Sequence, residues 1–163
     1  MLPDFRYSRN YFYTYRDLSK IFFENYVISY ITLTAREKNC YFGFTKDDRF
    51  EIKMEGKILG KTWLELPSRF ASCSVGNYGL SENTFSGILT IDNRLSKDIS
   101  KKLIPIIISS FKSRSSKLLN QFHGLHGRIF WENNFNELMI RDLKDLDDVM
   151  QKMKTIYPSS LQK

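Results

Sequence analysis

The sequence predicts an α+β domain in which helices lie on a sheet, and three observations lead there. Residues 26–34 and 77–91 are runs of β-branched and aromatic side chains that suit central strands. Residues 105–122 and 142–153 repeat their apolar side chains at helical spacing. Strands and helices are interspersed without strict alternation, which argues for one sheet with helices on it. The 163 residues are one domain's worth of chain. A hydrophobic content of 42%, with 15% aromatic, supplies a single core without staples and excludes disorder for most of the chain.

Residues 1–25 are read as an N-terminal extension, rich in aromatics (Tyr7, Tyr11, Tyr13, Tyr15, Phe22 and Phe23) and mixed in charge. YVISYITLT, residues 26–34, is the first central strand, ended by the polar stretch 36–39. Residues 49–54 alternate Phe50, Ile52 and Met54 with Glu51 and Lys53, which suits a hairpin partner. A short helix is expected within 60–70, closing near Pro67. NYGLSENTFSGILTI, residues 77–91, alternates and then becomes apolar, and is read as one second central strand. The longest helix is expected over 105–122, with Pro105 in its first turn and Ile107, Phe111, Leu118 and Phe122 in its stripe. A glycine-flanked loop, 123–127, leads to strand-like stretches at 128–131 and 137–140. The last helix has its start signal in Asp142 with Asp145, an apolar stripe of Leu143, Leu146, Val149, Met150 and Met153, and Pro158 beyond its end. Acids crowd its first turns and Lys152 and Lys154 its last, as the helix dipole favours.

The net charge is +7, from 25 Lys and Arg against 18 Asp and Glu. It is concentrated: residues 96–128 hold Lys97, Lys101, Lys102, Lys112, Arg114, Lys117 and Arg128 against Asp98 alone. At 100° per residue Lys112 falls opposite the Phe111 stripe, Arg114 within it and Lys117 at its edge. Two readings stand for this helix, a solvated face or a phosphate-binding one. The phosphate-binding candidates are Lys101, Lys112, Arg114, Lys117 and Arg128. Trp131, Phe135 and Tyr78 are candidates for stacking on unpaired bases, about 1–3 kcal/mol each, or for the core. Cys40 and Cys73 fit no disulfide framework or metal motif and read as buried thiols. His123 and His126 read as loop residues, since two ligands do not complete a zinc site. No phosphate-binding loop, dinucleotide fingerprint or nucleophile elbow is present. No stretch approaches the roughly 18 apolar residues of a membrane helix, and no apolar signal follows Met1. A soluble, cytoplasmic chain without membrane contact is expected.

Four blocks carry more specific information: YITLTAREKNCYFG (residues 30–43), WLELPSRF (63–70), SSFKSRSSKLL (109–119) and IFWENNFNELMIRDLKDL (129–146). In this order they resemble the REP-associated tyrosine transposases, the single-tyrosine branch of the HUH endonuclease superfamily. The first is similar to the family's first strand and turn, the second to its "W-x-x-L/I-P-x-R-F", and the third to its "S-F-K-S" helix. The fourth is similar to a tryptophan and an aromatic followed by "I-R-D-x-x-x-L". The resemblance implies a ferredoxin-like central antiparallel sheet flanked by helices, over residues 26–163, and a homodimer. It also implies single-stranded or hairpin DNA as the partner.

The motif that names the superfamily departs. Where the family's strand carries "M-P-N-H-x-H-G-I/L", whose histidines hold a divalent cation at the scissile phosphate, this chain reads SENTFSGIL, residues 81–89. Thr84 and Ser86 stand at the histidine positions, with Asn83 and Gly87 matching in the flanks. Hydroxyls are poor replacements for imidazole at such an ion. The family's tyrosine, ten residues after "R-D", corresponds to Lys152, which forms no phosphotyrosine link. The expectation is therefore a transposase-like DNA-binding protein without cleavage and without a cofactor. Two alternatives remain at this point. One is an active transposase using Tyr157 and a cation such as magnesium, and the other is a domesticated protein-interaction scaffold.

Overall fold

YVISYITLT forms the central strand, β2 (Tyr26–Thr34), and is buried on both sides because side chains alternate across a strand. Val27, Ile31 and Leu33 face one core, while Ile28 and Tyr30 face another. The computed structural model describes residues 12–13, 23–36, 42–92 and 97–156. Before β2 lie a two-residue strand, β1 (Phe12–Tyr13), and a 3-10 turn at Phe23–Asn25. After it come the hairpin β3 (Gly43–Lys46) and β4 (Arg49–Ile52), then helices α1 (Met54–Leu64) and α2 (Leu66–Arg69). Next are strands β5 (Cys73–Leu80) and β6 (Thr84–Asp92), helix α3 (Lys97–His123), strand β7 (Asn136–Ile140) and helix α4 (Leu143–Ile156).

The main sheet runs β1-β5-β6-β2-β7. β2 pairs antiparallel with β6 and with β7, and β5 pairs antiparallel with β6. With α1 between β2 and β5, and α3 between β6 and β7, this is the ferredoxin-like split β-α-β order. Phe12 and Tyr13 extend it by pairing parallel with Val75 and Gly76. No helix among the described residues is long and apolar enough to cross a membrane.

Several expected boundaries are corrected. The helix expected within 60–70 begins at Met54, so Met54 opens α1 rather than closing the β4 alternation. Pro67 sits in the first turn of α2, where its missing N–H costs nothing. Residues 77–91 are two strands, not one: the chain turns at Ser81, whose N–H donates to the Thr84 carbonyl at 2.9 Å. The long helix starts at Lys97, so Pro105 lies in its interior rather than its first turn. Pro105 is exposed, and its missing N–H removes the usual helical donor to the Lys101 carbonyl. Of 128–131 only Trp131 bridges, to Ala35. The last helix begins as expected. The Asp142 carboxylate accepts from the Asp145 N–H at 2.8 Å, and Asp145 accepts from the Arg141 N–H at 2.9 Å. Cys40, Tyr157 and Pro158 lie outside the described residues.

Each sheet face carries a core. On one, α1 and α3 cover Phe85, Leu89 and Ile91 of β6 through Leu59, Trp63, Ile104, Ile107, Ile108 and Phe111. Gly87 is required here, because a Cβ would meet the Trp63 ring at 2.6 Å. On the other, α4 lays Leu146, Val149, Met150 and Met153 on Ile28, Tyr30, Ile88 and Ile140.

Candidate functional site

The β6 register decides where the two histidine-equivalent positions go. Phe85, Leu89 and Ile91 point at α1 and α3, so Thr84, Ser86 and Ile88 point at the α4 side. Thr84 pairs across with Thr34 and Ser86 with Thr32, and Thr32 in turn pairs with Asn136 of β7. These strands and α4 bound a cleft of about 390 Å³, lined by Tyr30, Thr32, Ser81, Thr84, Asn136, Glu137, Leu138 and Lys152. The structure thus brings Thr84 together with Lys152, two positions that are 68 residues apart in the chain. Ser86 lies in the same row but is fully buried, its Oγ donating to Thr32 Oγ1 at 3.1 Å. The Lys152 ammonium stands 5.6 Å from the centroid of the Tyr30 ring.

This arrangement does not fit the divalent cation that the resemblance implies. Thr84 offers a hydroxyl, which donates to Asn83 Oδ1 at 3.3 Å. Ser86 is sealed from the cleft. The one carboxylate in the lining, Glu137, accepts from Ser29 Oγ at 2.8 Å, beside Val27 and Ile31 on the strand's other side. Among the described residues no three His, Cys, Asp or Glu side chains gather at one point.

The basic helix lies on the opposite side of the sheet, and its cations do not form one surface. Its buried stripe runs through Ile104, Ile107, Ile108, Phe111, Ser115 and Leu119, which places Lys101 and Lys112 on one flank and Arg114 and Lys117 on the other. Lys112, expected to point fully outward, is half-buried. Its Nζ donates to the carbonyls of Glu132, Asn133 and Asn134 at 2.7, 3.2 and 3.0 Å and so pins the loop before β7. Burial lowers its pKa, and the nearby Glu132 carboxylate raises it in part. Arg114, expected within the apolar stripe, is exposed instead and meets Glu65 Oε2 at 3.4 Å. Arg128 lies over the Phe130 ring at 4.9 Å, and Lys101 is exposed.

Trp131, a candidate either for base stacking or for the core, is a core side chain. It is 3% exposed, packs on Phe42 and Phe111, and donates from Nε1 to Ser115 Oγ at 2.9 Å. Tyr78 stacks inside on Phe85, and Phe135 packs against the same core.

Two exposed cations outside the predicted set, Lys57 and Lys61, lie on the neighbouring helix α1. Glu55 at the start of α1 meets His123 at the end of α3 at 3.4 Å, while Glu65 just beyond α1 meets Arg114. The two helices therefore run antiparallel, and counting inward from both contacts puts Lys61 level with Lys117. Lys57 and Lys61, one turn apart, are both exposed. Arg114 and Lys117 on α3 are exposed as well, and Glu65 meets Arg114.

No family model and no curated protein matches the chain. Among solved structures it is similar to one described as "Structure of the REP associates tyrosine transposase bound to a REP hairpin", with 14% identity and a TM-score of 0.46. That likeness covers 76% of this chain and 61% of the other, so the chain spans about three fifths of that protein's length.

Proposed function

We propose that this is a transposase-like DNA-binding protein that holds single-stranded or hairpin DNA without cutting it. The observation that carries the DNA-binding part is the set of exposed cations on the packed helix pair α1 and α3. Lys57 and Lys61 on the first and Arg114 and Lys117 on the second are all exposed, with Glu65 as counter-charge at Arg114. A phosphate backbone neutralised by such a set releases counterions, which supplies sequence-independent affinity. The absence of cleavage is supported by the cleft on the other face. A sealed serine, a threonine and a lysine stand where the family's chemistry needs two imidazoles and a phenol. Binding on this reading needs no divalent cation.

Titrating a fluorescent hairpin oligonucleotide at several salt concentrations in EDTA tests it. Four phosphate contacts predict a log–log salt slope of about −3, since each contributes roughly −0.7 to −0.9. The pair Lys61→Glu and Lys117→Glu should weaken binding at least tenfold and flatten the slope by about 2. Absence of binding at micromolar protein, or affinity indifferent to salt, overturns the proposal. A covalent protein–DNA adduct in magnesium or manganese overturns the non-cleaving part.

A further inference from the structure

We propose that the cleft between β2, β6, β7 and α4 is a phosphate pocket that works without a metal, with Lys152 as its only cation among the described residues. It rests on the DNA-binding reading for which phosphate arrives, not for the pocket itself.

The chemistry of the lining points to an oxyanion. Lys152 brings a positive charge held over the Tyr30 ring, and no carboxylate among the described residues pairs with it, including Asp148 one helical turn back. Around that charge stand the hydroxyls of Thr32 and Ser81 and the amide of Asn136, with Thr84 beside them, whose proton goes to Asn83. These are neutral donors, which satisfy an anion's lone pairs and add little at a divalent ion. Thr32 already accepts the Ser86 proton, which leaves its own O–H for an occupant. The lining carboxylate, Glu137, is committed to Ser29 and adds no donor of its own. The tetrahedral oxygens of a phosphate can accept from a cation and several hydroxyls at once, with the ammonium acting as a point charge. Leu138, 49% exposed, gives the rim an apolar wall against which a sugar can lie. About 390 Å³ is room for a phosphate with part of its nucleoside.

The test titrates the full-length protein with inorganic phosphate in EDTA and follows the amide resonances of Thr84, Asn136 and Lys152. Saturable shifts confined to these residues are expected. Lys152→Gln should weaken binding at least tenfold, Lys152→Arg should retain it, and Lys144→Gln, on the same helix outside the cleft, should leave it unchanged. Oligonucleotides with a 5′-phosphate or a 5′-hydroxyl identify the source. Preference for the first marks a terminal phosphate, and equal binding that Lys152→Gln weakens marks a backbone phosphodiester; either of these supports the pocket. Linear, unsaturating shifts, or binding that Lys152→Gln leaves intact, overturn it. If hairpin binding fails while phosphate still saturates this cleft, the DNA-binding reading falls and the pocket stands. If hairpin binding persists through the α1/α3 cations and phosphate never saturates, the pocket falls alone.

Discussion

On the helix-pair side of β6, Phe85, Leu89 and Ile91 lie under Trp63 and Phe111, with ring centroids 5.1 to 5.7 Å apart among Phe85, Trp63 and Phe111. On the α4 side of the same strand, Thr84, Ser86 and Thr90 alternate with Ile88 as the one apolar member. The outer surfaces differ in the opposite sense. The helix pair shows Lys57, Lys61, Arg114 and Lys117 to solvent, whereas α4 opens with Asp142, Asp145, Asp147 and Asp148. One side therefore combines a deep aromatic core with a basic exterior, and the other a thin core with a polar cleft. Most of the aromatic packing belongs to the first side, and so does the polyanion attraction proposed above. The second side holds the cleft lined by Thr32, Ser81, Thr84, Asn136 and Lys152.

The comparison predicts unequal costs for removing one large side chain from each side. Trp63 is fully buried and touches Phe85, Phe111 and Gly87, so Trp63→Ala should cost about 3–5 kcal/mol. Leu146 is equally buried but lies in the thinner cluster under a single helix. Leu146→Ala should cost about 2–3 kcal/mol, because that helix can settle into the space. Urea unfolding of both variants decides this, and a larger loss at Leu146 would break the ranking. Lys112→Met should cost less, about 1 kcal/mol, since its bonds to three carbonyls are partly solvated. Its specific signature is faster amide exchange in residues 132–136, the loop between the two sides.

Legibility followed local physics. β2 was readable to the residue because an apolar run between polar flanks has few alternatives, and the start of α4 because Asp142 and Asp145 form its cap. The start of α1 was not, because Lys53 at its N-cap position makes no side-chain cap and Gly56 and Gly60 dilute the pattern. The turn at 81–83 was hidden because β-forming residues continue on both sides of it. Lys112 and Arg114 were exchanged in role because the stripe had been centred on Phe111, Leu118 and Phe122, whereas Phe122 is 50% exposed. The family-like blocks turn out to report packing. Trp63, Phe111 and Trp131 meet in one aromatic cluster, Gly87 makes room for Trp63, and Ile140 and Leu146 share the other core. The cleft was foreseeable only by counting from those blocks to Thr84, Ser86 and Lys152. Lys57 and Lys61 acquire meaning only once α1 lies antiparallel to α3.

The smallest expected effect sharpens the same contrast through pH. Cys73, at the start of β5 in the helix-pair core, is 3% exposed, and burial pushes its thiol up to about 12 from 9.0. Between these values the folded chain holds a proton that the unfolded chain has released. Stability linked to this thiol is therefore fully present below pH 9 and lost as pH rises towards 12. At pH 9.5 the loss relative to neutral pH is about 0.8 kcal/mol, from the unfolded thiol alone. Cys73→Ala lowers stability through its cavity at every pH but removes this slope. The difference between the two proteins should therefore narrow from pH 8 to pH 9.5 in urea midpoints. A constant difference would mean that the thiol reaches water, and that the helix-pair core is looser at β5 than its burial implies.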